Sequence, residues 1–65
     1  MKSHRFIEII DIAGVPYSLN LSHIVLYYKD SDYKSRTMIE LIESRVIATN
    51  TSYEEFQVLL HNASV

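Results

Sequence analysis

Residues 50–63 read NTSYEEFQVLLHNA. Tyr53, Phe56, Leu59 and Leu60 fall at i, i+3, i+6 and i+7, a single apolar stripe on a helical surface. Thr51 stands three before Glu54, and Ser52 three before Glu55. Either pair fits a capping box, in which hydroxyl and carboxylate satisfy the free amides at a helix start. Both glutamates also complement the positive end of the helix dipole. The pattern predicts a helix over residues 52–62 with one face meant for a sheet, so the question becomes what that sheet is made of.

The chain before residue 50 reads as strands. RFIEIID at 5–11 is rich in β-branched and aromatic residues and carries no helical stripe. Gly14, the only glycine, follows in Ala13-Gly14-Val15-Pro16, where a tight reversal calls for one residue with positive φ. A short strand over 16–19 comes next, with Pro16 at its start or edge because it has no N–H to donate. After the turn-favouring Asn20-Leu21-Ser22, HIVLYYK at 23–29 reads as a third strand. Alternation puts Ile24, Leu26 and Tyr28 on one face and Val25, Tyr27 and Lys29 on the other. RTMIELIE at 36–43 splits into Met38, Glu40, Ile42 against Thr37, Ile39, Leu41, and RVIAT at 45–49 completes a second hairpin. Its turn, Glu43-Ser44, lacks the Gly or Asn that positive φ favours. The expectation is a single α+β domain, a small antiparallel sheet of four to five strands with one C-terminal helix packed on one face.

Length and composition limit what such a domain does. A chain of 65 residues buries only about 60% of the surface its unfolded form exposes. Small domains compensate with disulfides, metals or partner subunits. The chain has no cysteine, which excludes the first and any thiolate metal site. His4, His23 and His61 show no ligand spacing. Assembly is the remaining staple. The net charge of −2 argues against a large nucleic-acid footprint. No apolar run approaches the ~20 residues of a membrane span, and MKSHRFIEIID lacks the apolar core of a signal peptide. A cytoplasmic protein without membrane insertion is the reading.

Geometry points the same way. Five strands at ~4.8 Å spacing make a sheet about 20–24 Å wide, and a helix of 11 residues is about 16 Å long and 10 Å across. One helix covers about half of one face. Yet Phe6, Ile7, Ile9, Ile10 and Ile12 fall on both faces of the first strand. A one-sided sheet in a monomer shows polar residues on its open face, so the surplus apolar surface needs a partner, and a homo-oligomer built through the second sheet face or a strand edge is expected. A strongly curled sheet that buries both sides on itself is the alternative.

No Gly-rich phosphate loop, nucleophile elbow or metal motif is present, and no cofactor is expected. Asp11, Glu40 and Glu43 form no catalytic pattern, and Glu40 fits a charge at a sheet edge that discourages aggregation. Residues 27–36, YYKDSDYKSR, are the one aromatic-basic cluster. Tyr27, Lys29, Tyr33, Lys34 and Arg36 are its candidate binding residues. Lys29 and Arg36 are expected as neighbours at the base of a hairpin tip, either neutralised by Asp30 and Asp32 or holding an anionic ligand beside a tyrosine ring.

The order of elements resembles the flagellar and swarming motility (FlbD-type) small proteins. The residues carrying the resemblance are Gly14, Leu19-Asn20, Ile24, Ile39-x-Leu41 and Ser52-Tyr53-Glu54-Glu55, spread over about residues 6–60. The chain departs from that pattern at Glu43-Ser44, where the family usually has Asn-Gly or Asp-Gly, and in a longer tip with extra tyrosine and lysine. A weaker similarity, over 24–60, is to LytTR-type DNA-binding domains, which are longer and usually basic at their DNA face. The first resemblance implies a small non-enzymatic protein. With the composition it gives the expected function: a homo-oligomeric regulatory or adaptor protein acting by protein–protein binding. The alternatives are an oligomer that sequesters an anionic small molecule such as a nucleotide signal, as phage anti-defence proteins do, or a small nucleic-acid-binding regulator.

Overall fold

The computed structural model of the chain describes residues 6–64; His4 and Arg5, the latter assigned above to the first strand, lie outside them. Five strands and one α-helix follow in order: β1 Phe6–Ile10, β2 Pro16–Asn20, β3 Ile24–Lys29, β4 Thr37–Leu41, β5 Arg45–Thr49 and α1 Tyr53–Ser64. The class is α+β as expected. The single sheet is not: β1 and β2 form a two-stranded antiparallel hairpin, and β3, β4 and β5 a separate three-stranded antiparallel sheet in that order.

The division has a local cause. Asp11 ends β1 and begins its turn at once. Its Oδ1 accepts the amides of Ala13 (2.9 Å) and Val15 (2.8 Å), its own amide bonds the Val15 carbonyl, and Gly14 donates to the Asp11 carbonyl. Gly14 sits at φ +89°, the left-handed residue that closes a three-residue hairpin loop. β1 has therefore ended where it reaches the larger sheet, and the contact shrinks to one bridge, Asp11 opposite Thr49, beside the bond from the Ile12 amide to the Ala48 carbonyl. At the other end, Asn20 accepts the Ser22 amide and hydroxyl and caps a 3-10 turn, Leu21–His23, that carries the chain from β2 to β3.

The core lies between hairpin, sheet and helix. Ile7, Ile9 and Leu19 come from the hairpin, Ile39 and Leu41 from β4, and Phe56 from α1; Ile39 and Phe56 are fully buried. The period of two in β4 is as read, with Thr37, Ile39 and Leu41 inward. In β3 it is not. A bulge between Ile24 and Leu26 shifts the register against β4, so Ile24 and Tyr27, three apart, are the half-buried pair, and Val25, Leu26, Tyr28 and Lys29 are exposed. Glu40 is likewise not an edge charge, since β4 is the central strand.

Two buried hydroxyls join the layers. Thr37 and Thr49 face each other across β4 and β5, at 0% and 1% exposure. Thr49 Oγ1 donates to the Ile10 carbonyl (2.8 Å) and accepts the Thr51 amide (3.3 Å). Thr37 Oγ1 donates to the Thr51 carbonyl (2.7 Å). Of the two capping boxes, the helix uses Ser52 and Glu55: the Glu55 amide reaches Ser52 Oγ at 3.1 Å, and the Ser52 amide reaches the Glu55 carboxylate at 3.3 Å. Glu43 and Ser44, in the β4–β5 turn, both adopt left-handed backbone, φ +64° and +63°. The turn needs positive φ twice and has neither glycine nor asparagine to supply it.

Replacing Ser44 by Gly relieves one left-handed L-residue and raises stability by about 1 kcal/mol, read as a melting temperature about 4–8 °C higher. Thr49→Val keeps the volume but strands the Ile10 carbonyl and the Thr51 amide. It lowers stability by about 1–3 kcal/mol, measured by urea unfolding, whereas Thr49→Ser recovers most of that loss.

Candidate functional site

The structure separates the five candidate residues of the 27–36 stretch. Tyr27 turns toward the helix, its ring 4.9 Å from Phe56 in an edge-on contact and 5.2 Å from Tyr53. Lys29 lies on the same side. Its ammonium is 3.3 Å from the Glu54 carboxylate and 5.7 Å from the centre of the Tyr53 ring. Arg36 instead belongs to the hairpin tip. Its guanidinium stacks on Tyr33 at 4.2 Å and lies 3.7 Å from Asp30 Oδ2. The tip is closed by bonds from the Asp30 amide to the Arg36 carbonyl and from the Arg36 amide to the Tyr33 carbonyl. Lys34 is exposed on this turn.

The expected Lys29–Arg36 neighbourhood therefore does not form. Lys29 sits opposite Thr37, not Arg36, in the β3–β4 ladder, and its counter-charge comes from the helix. Asp30 neutralises Arg36 as anticipated; the Asp30 carboxylate also accepts the Asp32 amide, which makes Asp32 part of the turn. One polar atom at the tip is unanswered: Arg36 Nε is buried and has no hydrogen-bond acceptor.

The Glu54 carboxyl is held below its usual range, first by the backbone amide at the helix start, then by hydrogen bonding and attraction from Lys29. A lowered carboxyl pKa stabilises the fold above the ordinary carboxylate range, and that contribution is lost as pH falls through the folded value. The group is fully exposed, so the effect on overall stability is small. Among the described residues no group of three or more His, Cys, Asp or Glu side chains is placed to hold a metal ion, and no helix is long and apolar enough to cross a membrane.

A different surface is apolar. Hairpin and helix both cover the inner face of the three-stranded sheet, the face of Ile39 and Leu41. The outer face carries two cross-strand rows, Tyr28–Met38–Ala48 and Leu26–Glu40–Val46. Leu26, Tyr28 and Val46 are 44, 47 and 48% exposed. Ile12, held beside Ala48 by its amide, extends the patch beyond β5 at 48% exposure. Among the described residues of these two rows, Glu40 is the only charged one. The signal in the sequence is the unbroken run Val46-Ile47-Ala48, which alternation alone does not explain: Ile47 faces inward and its neighbours outward. Elsewhere the concave features are open clefts, one of about 760 Å³ beside Ile10, Pro16 and Tyr17, and one of about 650 Å³ between β3 and the helix, lined by Ile24, Tyr27 and Leu60. His23 closes the 3-10 turn, and His61 lies in the C-terminal part of α1.

Comparison with known protein families, curated proteins and solved structures finds no match to this chain.

In a Lys29→Ala variant the Glu54 carboxyl pKa rises toward the ordinary value but stays below it, because the helix-start amide persists. A carbon-detected NMR titration of the side-chain carboxyls measures both effects.

Proposed function

We propose that the chain is a non-enzymatic, homo-oligomeric regulatory or adaptor protein of the cytoplasm that works by binding another protein. The observation that carries this reading is the outer face of the three-stranded sheet, where Leu26, Tyr28, Val46 and Ile12 stand exposed around a single carboxylate. An open antiparallel face in a self-sufficient monomer is polar; this one has the composition of an interface core, apolar and aromatic with charge depleted. The FlbD-type resemblance supports the same class of small binding protein.

Sequestration of an anionic small molecule is the second reading, and one atom favours it. Arg36 Nε is buried without an acceptor beside the Tyr33 ring and the exposed Lys34. Its binding site is then the hairpin tip alone, with Lys29 engaged by Glu54.

Sedimentation at micromolar concentration is expected to give a species heavier than the 7.6 kDa chain; a 7.6 kDa particle at every concentration removes the oligomer. Val46→Lys, placed on the outer face, is expected to weaken capture of the protein partner by about tenfold or more while leaving the circular dichroism spectrum unchanged. For the second reading, nucleotides are expected to raise the melting temperature of the unaltered chain and not of a Lys34→Ala, Arg36→Ala variant. No shift with any nucleotide ends it.

A further inference from the structure

We infer that the outer face of the three-stranded sheet docks on the same face of a second copy, about a two-fold axis at Met38 that sets Arg36 of each copy against Glu40 of the other. This rests on the oligomeric reading above and names what that face meets.

Along the central strand β4 the outward residues are Arg36, Met38 and Glu40, since Thr37, Ile39 and Leu41 turn inward. All three are half-buried. The two charges have opposite sign and stand two residues to either side of Met38, about 14 Å apart. Neither is fully answered within the chain. The guanidinium of Arg36 lies 3.7 Å from Asp30 Oδ2, too long for a hydrogen bond, and its Nε is buried without an acceptor. Among the described residues no ion pair or side-chain hydrogen bond involves the Glu40 carboxylate. Its ladder neighbours are Leu26 and Val46. A half-buried carboxylate among apolar side chains is costly until a donor meets it.

Charge then selects the docking. A two-fold contact is isologous: if residue i of one copy meets j of the other, j also meets i. A face with one cation and one anion placed evenly about its midpoint meets that condition with its own copy, whereas a foreign partner has no need of such symmetry. With the axis across the strands at Met38, the two β4 strands run antiparallel and Arg36 faces Glu40 twice. Met38 and Tyr28 then meet their own counterparts. Stacked sheets lie ~10 Å apart with their strands within about 30° of each other, a gap that an arginine and a glutamate span together. An axis along the strands opposes Arg36 to Arg36 and Glu40 to Glu40, and an axis at Glu40 opposes two carboxylates. Both are repulsive.

The strand edges are guarded by comparison. β2 begins with Pro16, and the outer edge of β5 meets Asp11 and Ile12. β3 carries Lys29 and a bulge, and β1 has Glu8 at its centre, which a two-fold there sets against itself. The three-stranded face spans about 240 Å² in projection, under the ~800 Å² that each partner gives to a standard complex. The pair is therefore a reversible one whose mass rises with concentration.

The test is sedimentation of the full chain from micromolar to millimolar concentration, with the fold of each variant checked by circular dichroism. The unaltered chain is expected to pass from 7.6 kDa toward twice that mass. Glu40→Arg opposes like charges and is expected to weaken self-association by about tenfold or more, as is Arg36→Glu. Mixed one to one, the two variants restore both unlike pairs, and the mixture is expected to recover the dimer that each alone has lost. Because Arg36→Glu also alters the hairpin tip, a second measurement uses no variant. When methyl-labelled and unlabelled copies of the unaltered chain are mixed, the Met38 methyl is expected to show intermolecular NOEs to Met38 and Tyr28 of the other copy. A Glu40→Arg dimer as tight as the original, folded variants that stay monomeric when mixed, or a dimer without those NOEs overturns face docking while the oligomeric reading stands. A strict monomer overturns both, and a different protein captured through this face by that monomer leaves only the protein-binding reading.

Discussion

Thr49 is the residue through which the three parts of this structure are held to one another. It closes a rung of four residues across the sheet, Lys29–Thr37–Thr49–Asp11, each opposite the next. From that rung one hydroxyl reaches back to β1 and accepts from the segment entering the helix, and its neighbour Thr37 fastens the same segment by its carbonyl. A hydroxyl both donates and accepts, so a buried threonine serves two backbone partners where valine of the same shape serves none. Asp11 ties the rung to the hairpin turn, and Lys29 ties it to Glu54 at the helix start. The apolar core beneath gives the driving force for burial; the rung decides which edges meet.

The outer sheet face follows from that arrangement. Because the hairpin stops at Asp11 and turns back over the inner face, it adds its Ile7, Ile9 and Leu19 to the side the helix already covers. Among the described residues no further element lies on the other side. Exposed apolar surface is therefore a product of topology here, and the row Tyr28–Met38–Ala48 stands open for the same reason that Ile39 is completely enclosed.

What was legible in the sequence was periodic and local. The helix shows because its stripe and its capping box agree over one short window, and β4 because its alternation survives intact. β3 misleads because one bulged residue changes the phase of every side chain before it, and no residue type announces a bulge. The division into two sheets was hidden for another reason: strand patterns say which face is apolar, not which strand lies beside which. The 27–36 cluster was legible in part, in the parting of its two adjacent tyrosines and the pairing of Asp30 with Arg36. Consecutive strand residues point to opposite faces, so Tyr27 and Tyr28 part company, and the counter-charge for Lys29 stands on a helix distant in sequence.

The β4–β5 turn has a consequence for how the chain is wired. Most hairpins are set by a turn that favours its own geometry, and the Asp11–Gly14 reversal is of that kind. The 42–44 turn, with two left-handed L-residues, opposes its own closure. Its strands are held from the far end, where Thr49 meets Thr37, Asp11 and the Ile10 carbonyl. The peptide bond between Glu43 and Ser44 is exposed and joins two residues in left-handed backbone. It is the natural place to open the polypeptide for a circular permutant or a split pair whose halves reassemble on the threonine rung.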